Sequence, residues 1–316
     1  MQNEAMAIIP IDKTEDNEIM VGGNRFSDDV WDFNDYVLNR TFARTFKKIN
    51  FTYIHSENIK NVVKLYAQYK LGKVKPRTIS SYVARIRPFI KYCEEKGLSS
   101  LREIKSPLFM EYLLWSKNTL NHKDSTLYEI AIIVSEIVRI GQIKGWDVTD
   151  EMFFSQYMTM GLIKSRRSLA YANKTKPIPI DVFNKILYYA LEKEKRVPTK
   201  AGIIIQSQTG LRINEVLSIQ EGCLSTTSDG YTFLEVEISK TEKGEPIKHK
   251  VYANELVIKC VEKLTEDTKC LREESGLKEL FLVRNQGIIT NSKTNNWTRK
   301  RLTPFMRRWD IRGEDG

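Results

Sequence analysis

Between Ser56 and Gly145 apolar side chains recur at i, i+3, i+4 and i+7, and a chain so patterned must bury one face of each helix against another. Ser56 reads as the cap of a helix carrying Ile59, Val62, Val63 and Tyr66, with Gly72 as its stop. Thr78 reads as the cap of a second, whose stripe is Ile79, Tyr82, Val83, Ile86, Ile90 and Cys93, closed by Gly97. Pro88 lies inside that stripe. A proline there costs about 3 kcal/mol or forces a kink, so this helix is expected to be bent or divided. Ser106-Pro107 opens a third helix through Leu108, Tyr112 and Trp115. Asp124 or Ser125 opens a fourth, with Leu127, Ile130, Val134, Ile137 and Gly141 on one face and Gly145 at its end. Four amphipathic helices joined by short links predict a compact helical domain over residues 51–150.

The flanking segments lack this period. Residues 1–50 are rich in Asp, Asn and Gly and predict an arm with at most short structured pieces. Residues 151–177 include the basic run from Lys164 to Lys176, which ends in Pro177, and are expected to form a linker. Either it is a solvated connector or it runs along a phosphate backbone. A second domain is predicted over 178–316. Asp181 would cap a helix bearing Phe183, Ile186, Leu187, Ala190 and Leu191, and another would run from about Thr199 to Ser207. Gly210 allows a tight turn before Ile213, Val216 and Leu217 resume helical spacing. From Tyr231 to Ser239 the period changes to two, and it returns from Ile247 to Tyr252, which predicts a β-hairpin turning near Gly244. Helix is expected again from Asn254 to about Leu264, and through Trp297, Leu302, Met306 and Trp309, where Arg299, Lys300, Arg301, Arg307 and Arg308 crowd the stripe. The fold class is therefore mainly α: a helical domain, then a mixed, mostly helical domain with a small antiparallel sheet.

Several function classes find no support. No apolar run approaches the roughly 18 residues that span a bilayer, and no basic flank precedes the small apolar patch Ala5–Pro10, so a cytoplasmic protein with no membrane partner is expected. Cys93, Cys223, Cys260 and Cys270 form no Cys-x-x-Cys pair, and His55, His122 and His249 stand alone, which predicts neither a metal site nor a histidine-centred triad. Charge says more. The formal net charge is +10, yet residues 1–36 hold nine acids and two bases, leaving +17 on the remainder. A basic body attracts a polyanion by releasing its counterions, and nucleic acid is the commonest one in the cytoplasm.

The segment Thr209-Gly-Leu-Arg-Ile-Asn-Glu215 resembles the tyrosine recombinase (phage integrase) family, in which the first catalytic arginine lies in Thr-Gly-x-Arg-x-x-Glu just after a tight turn. The context agrees over about residues 56–316: upstream, a helical bundle containing Thr78-x-x-x-Tyr82, like the family's SAM-like core-binding domain; downstream, a three-stranded sheet region with a lysine at a hairpin. The resemblance implies site-specific DNA recombination or integration, as in mobile elements, by phosphoryl transfer through a phosphotyrosine, with no metal or nucleotide cofactor. Arg212 suits that chemistry, because a guanidinium pairs with two non-bridging phosphate oxygens at once. Glu215, three residues on, lies on the same helical side and can hold the guanidinium. An ordinary surface ion pair is the alternative, worth well under about 1 kcal/mol. By resemblance Lys240 is the candidate general acid for the leaving 5′ oxygen, with Lys243 in reserve.

For duplex contact the candidates are Lys75, Arg77, Thr78, Ser81, Arg85, Arg166, Arg167 and Lys243. The family's His-x-x-Arg segment and nucleophilic tyrosine find no counterpart, since the tyrosines after Arg212 are Tyr231 and Tyr252, both on the predicted hairpin. The sequence is accordingly expected to be catalytically incomplete at its C-terminal end, a monomer off DNA, able to assemble with other recombinase subunits on it. Two other functions stay open: a non-catalytic DNA-binding accessory protein, and an unrelated helical regulator.

Overall fold

The computed structural model describes residues 11–13, 19–36, 48–151, 176–238 and 247–313. The described residues up to 151 and those from 176 onward form two compact units, each with its own apolar core.

Among the described residues of the first unit five helices surround the core: α1 (Glu57–Leu71), α2 (Pro76–Arg85), α3 (Arg87–Glu95), α4 (Ser106–Asn118) and α5 (Asp124–Lys144). Ser56 caps α1, its Oγ accepting from the Ile59 N–H, and Gly72 follows the last turn. The long helix expected across Pro88 is divided. Pro88 occupies the first turn of α3, where its missing N–H costs nothing, and Ile86 forms the joint. The expected cap at Thr78 is displaced for a similar reason: Pro76 enters the first turn, so the extended Lys75 is the N-cap and Thr78 is already helical. Ser106 likewise is the first helical residue rather than the cap, and its N–H and Oγ both donate to Glu151.

Residues before α1 add more to this core than an arm would. Short strands β1 (Ile11–Lys13), β2 (Ile19–Val21) and β3 (Asn24–Arg25) form one antiparallel sheet, and β4 (Val30–Asp32) pairs with β5 (Lys48–Asn50). They carry Val21, Trp31 and Ile49 into full burial beside Phe33 and Phe51. Asn24 accounts for the local backbone: its Oδ1 accepts from the Asp32 N–H and its Nδ2 donates to carbonyls of Val21, Gly22 and Asp32. Elsewhere in the core Phe89 packs edge-on against Phe109 and Tyr112, at 5.2 and 5.0 Å between centroids.

The second unit is built around α7 (Val197–Thr209), an apolar helix that buries Ala201, Gly202, Ile203, Ile204 and Ile205. Against it packs α9 (Glu255–Asp267), and a three-stranded antiparallel sheet, β6 (Leu224–Thr226), β7 (Thr232–Ile238) and β8 (Ile247–Tyr252) in that spatial order, shares the same apolar core. Leu234 and Val236 face the core, while Glu235 and Glu237 stand opposite Lys250 and Lys248 on the other face. Around these lie α6 (Ile180–Tyr188), α8 (Ile213–Leu217), α10 (Lys269–Ser275) and a second hairpin, β9 (Leu282–Asn285) with β10 (Ile288–Asn291). Pro179, not Asp181, is the N-cap of α6; Asp181 sits in the first turn, where its carboxylate meets the helix's positive end.

The closing helical stretch is interrupted: α11 (Thr294–Trp297) passes through a π-helical segment at Thr298–Leu302 into α12 (Thr303–Arg308). Trp297 lies against Gly202 so closely that a Cβ on residue 202 would fall 2.2 Å from the indole. Trp309 stacks on Tyr189 at 4.8 Å, and Arg308 bonds the buried Glu194 at 2.9 Å, which docks the end of the unit on the segment before α7.

Candidate functional site

At the end of α7 the chain reverses through Gly210, whose φ of +66° would strain any side chain, and Thr209 Oγ1 accepts from the Leu211 N–H within the turn. Leu211 is buried, and Arg212 follows in extended geometry as the N-cap of α8. Asn254 steadies this corner from the side. Its Nδ2 donates to Gln208 Oε1 at 2.8 Å while its Oδ1 caps α9. From the other side Asn214 and Thr294 are hydrogen-bonded through their side chains, tying α8 to α11.

Glu215 performs two tasks with one carboxylate. Oε2 accepts from the Arg212 backbone N–H at 2.7 Å, and Oε1 accepts from Arg212 Nη1 at 2.9 Å. The Glu215 side chain is only 8% exposed, against 49% for Arg212. A sunken carboxylate thus grips one edge of a guanidinium whose remaining N–H groups reach solvent, an arrangement that presents a fixed, unspent cationic fork to an oxyanion. The sequence anticipated the guanidinium contact; the capping bond to the backbone it did not.

The structure brings Arg212 and Glu215 together as the sequence requires. Lys240 and Lys243 belong to the connection between β7 and β8, residues 239–246, which lies outside the described residues, as do Arg166 and Arg167. On the neighbouring strands Lys250 donates to Glu235 at 3.1 Å; that hydrogen bond and the ammonium charge hold the Glu235 carboxyl below its ordinary range, against a weaker opposing effect of burial. Tyr231 and Tyr252 stand edge-on to each other on the exposed side of the sheet, 6.3 Å apart.

In the first unit the candidate contact residues fall on the outward side of α2. Lys75, Arg77 and Ser81 are exposed, and Arg85 is engaged with Glu129 at 2.9 Å. Thr78 is half-buried, and the neighbouring Ser80 is occupied structurally, donating to the Lys48 carbonyl at 2.7 Å. Among the described residues there is no cluster of three or more His, Cys, Asp or Glu that could hold a metal ion, and no helix is long and apolar enough to cross a membrane.

No protein-family model matches the sequence, and no curated protein matches it. The fold does find counterparts, among solved structures of site-specific recombinases. XerH site-specific recombinase bound to palindromic difH substrate, in a post-cleavage complex, superposes with a TM-score of 0.54 at 17% identity, over 83% of this chain and 76% of that one. The XerH complex with difH before cleavage gives a TM-score of 0.52 at 16% identity, over 83% and 77%. At such identities the likeness is one of fold, and the chemistry must be argued from this chain's own residues.

Proposed function

We propose that this protein binds double-stranded DNA as a subunit of a site-specific recombinase, with Arg212 paired to the phosphate at the site of strand exchange. The reading is supported by the half-exposed Arg212 guanidinium fixed by the buried Glu215, in a fold like that of a site-specific recombinase solved bound to its difH substrate. In this reading Arg212 neutralises charge that grows on the non-bridging oxygens during phosphoryl transfer, and Glu215 is a positioning residue that touches Arg212 rather than DNA. Lys240 is assigned the proton for the departing 5′ oxygen, with Lys243 as its alternate. Lys75, Arg77, Thr78 and Ser81 on α2, together with Arg166 and Arg167 of the basic segment, contribute phosphate contacts that set register along the duplex. Arg85 joins them by exchanging Glu129 for phosphate.

Tyr231 and Tyr252, paired on the sheet, are not assigned as nucleophiles. We therefore expect the 316-residue polypeptide to hold DNA without forming a phosphotyrosyl bond. Fluorescence anisotropy with a duplex carrying an inverted repeat tests the reading. Binding should weaken steeply with salt, and Arg212→Gln should lose roughly ten-fold in affinity, about 1.4 kcal/mol, as expected for one charge-assisted contact. Equal affinity for the Arg212→Gln protein would remove the assignment, and indifference to the inverted repeat would favour a general DNA-binding regulator. A nicked substrate that became covalently attached to the protein would overturn the non-covalent expectation.

A further inference from the structure

The second unit contains a cleft of about 650 Å³ that neither Arg212 nor Glu215 lines. Its walls come from the start of α7, the end of α9, the β9–β10 hairpin and the π-helical segment. Val197 and Pro198 mark one end of α7 and Arg212 follows the other, so α7's thirteen residues separate the two places by about 20 Å at 1.5 Å per residue. The volume lies in the range of small-molecule sites, roughly 300–1,000 Å³.

The lining is cationic beyond what its one carboxylate, Asp267, can offset. Lys195, Arg196, Arg284, Lys293, Lys300 and Arg301 all border the cleft. Arg284 is committed to Glu274. The side chains of Arg196, Lys300 and Arg301 make no hydrogen bond or ion pair with any described residue. Burial, and then the nearby charge of Arg196, push Arg301 below the ordinary guanidinium range, while Asp267 and Glu194 oppose this. Two guanidinium groups thus stand within each other's field in a partly dry setting, an arrangement that a bound anion relieves.

A second observation comes from Asn291, which also lines the cleft. It is 4% exposed, and neither its amide nitrogen nor its oxygen has a hydrogen-bond partner. Buried amides are almost always paired, so an orphaned one at the wall of a cationic cleft has hydrogen-bonding capacity left for a polar ligand. Leu271 and Leu282 add apolar wall beside it, suited to the body of an organic ligand.

We propose that this cleft is a phosphate-ester site, in which Arg196 and Arg301 clamp the phosphoryl oxygens and Asn291 Nδ2 donates to the same group. A guanidinium matches two phosphate oxygens in one plane, and Asn291 Oδ1 remains to accept from a hydroxyl of the molecule carrying the phosphate. The ester belongs either to a free nucleotide or to a nucleic-acid backbone. This inference stands whether or not Arg212 contacts DNA, because different residues carry it.

Calorimetric titration of the full chain with inorganic pyrophosphate, with ADP and with a 20-base-pair duplex separates the sources. Saturable binding of ADP, unaffected by duplex and tighter than that of pyrophosphate, identifies a free phosphate ester; displacement of ADP by duplex identifies the backbone. Arg301→Gln is expected to weaken binding at least ten-fold. Asn291→Leu should weaken it comparably while leaving the urea midpoint unchanged or raised, since it removes an unmet amide. The proposal fails if none of the three probes binds, or if binding is the same in the Arg301→Gln protein. It also fails if Asn291→Leu binds normally and unfolds at lower urea, which would make Asn291 a purely structural group.

Discussion

Removing the Glu215 carboxylate separates its two tasks, because the two bonds differ in burial. In Glu215→Ala the Arg212 N–H loses its acceptor, and loss of a capping acceptor costs about 1 kcal/mol, up to about 2 in a protein setting. The guanidinium bond adds less than about 1 kcal/mol, since Arg212 is half exposed and solvent screens it. Part of the loss is offset because a carboxylate no longer has to be desolvated. The expected net destabilisation is about 1–2 kcal/mol, which at an m-value of about 2 kcal/mol/M lowers the urea midpoint of the second unit by roughly 0.5–1 M. Arg212→Ala keeps the capping bond, because residue 212 still offers its N–H to Glu215, and should move the midpoint by less than half as much.

Circular dichroism of the full chain in urea measures both variants, and anisotropy with duplex DNA measures the other consequence. There the order reverses: Arg212→Ala should lose more affinity than Glu215→Ala, which retains the cation but not its aim. Equal destabilisation by Arg212→Ala and Glu215→Ala would mean instead that the exposed ion pair outweighs the backbone cap.

Gly202→Ala should destabilise the second unit by about 1–3 kcal/mol, since the new methyl would overlap the Trp297 ring and force it outward; a red shift of tryptophan emission together with a lower urea midpoint would show it, and an unchanged spectrum would refute it. In the first unit Glu136 accepts from Tyr66 Oη at 2.5 Å and from Lys70 Nζ at 2.8 Å. Burial by itself raises its carboxyl pKa, but the Lys70 and Tyr66 hydrogen bonds and the charges of Lys70 and Arg139 outweigh it, so the folded pKa lies below 4.5. A depressed carboxyl stabilises the fold above its unfolded pKa, and that contribution is lost as pH falls through the folded value. Glu136→Gln should therefore lower the urea midpoint at pH 7 and flatten its decline below about pH 4.5, and an unaltered acid limb would count against the pairing.

Local signals were legible wherever a residue acts on its own backbone or within one turn of it. Ser56, Gly72, Gly145 and Gly210 mark ends that the structure keeps, the switch to alternation identifies the β7–β8 hairpin, and the spacing of Arg212 and Glu215 is enough to pair them. Pro76, Pro88 and Pro179 shifted or divided helices by a residue or a turn, because a fixed φ competes with a polar cap for the first helical position. The β9–β10 hairpin went unread: its strands are four residues each and lack clean alternation, and the Gln286-Gly287 turn gave the one cue.

Tertiary structure alone decided the rest. Gly202 meets Trp297 across 95 residues of sequence, Asn214 meets Thr294 across 80, and the cationic cleft gathers residues from Lys195 to Arg301. Periodicity reports which face of an element is buried, not which distant face it is buried against. A pairing between elements depends on the packing of whole side-chain surfaces, which no local pattern encodes.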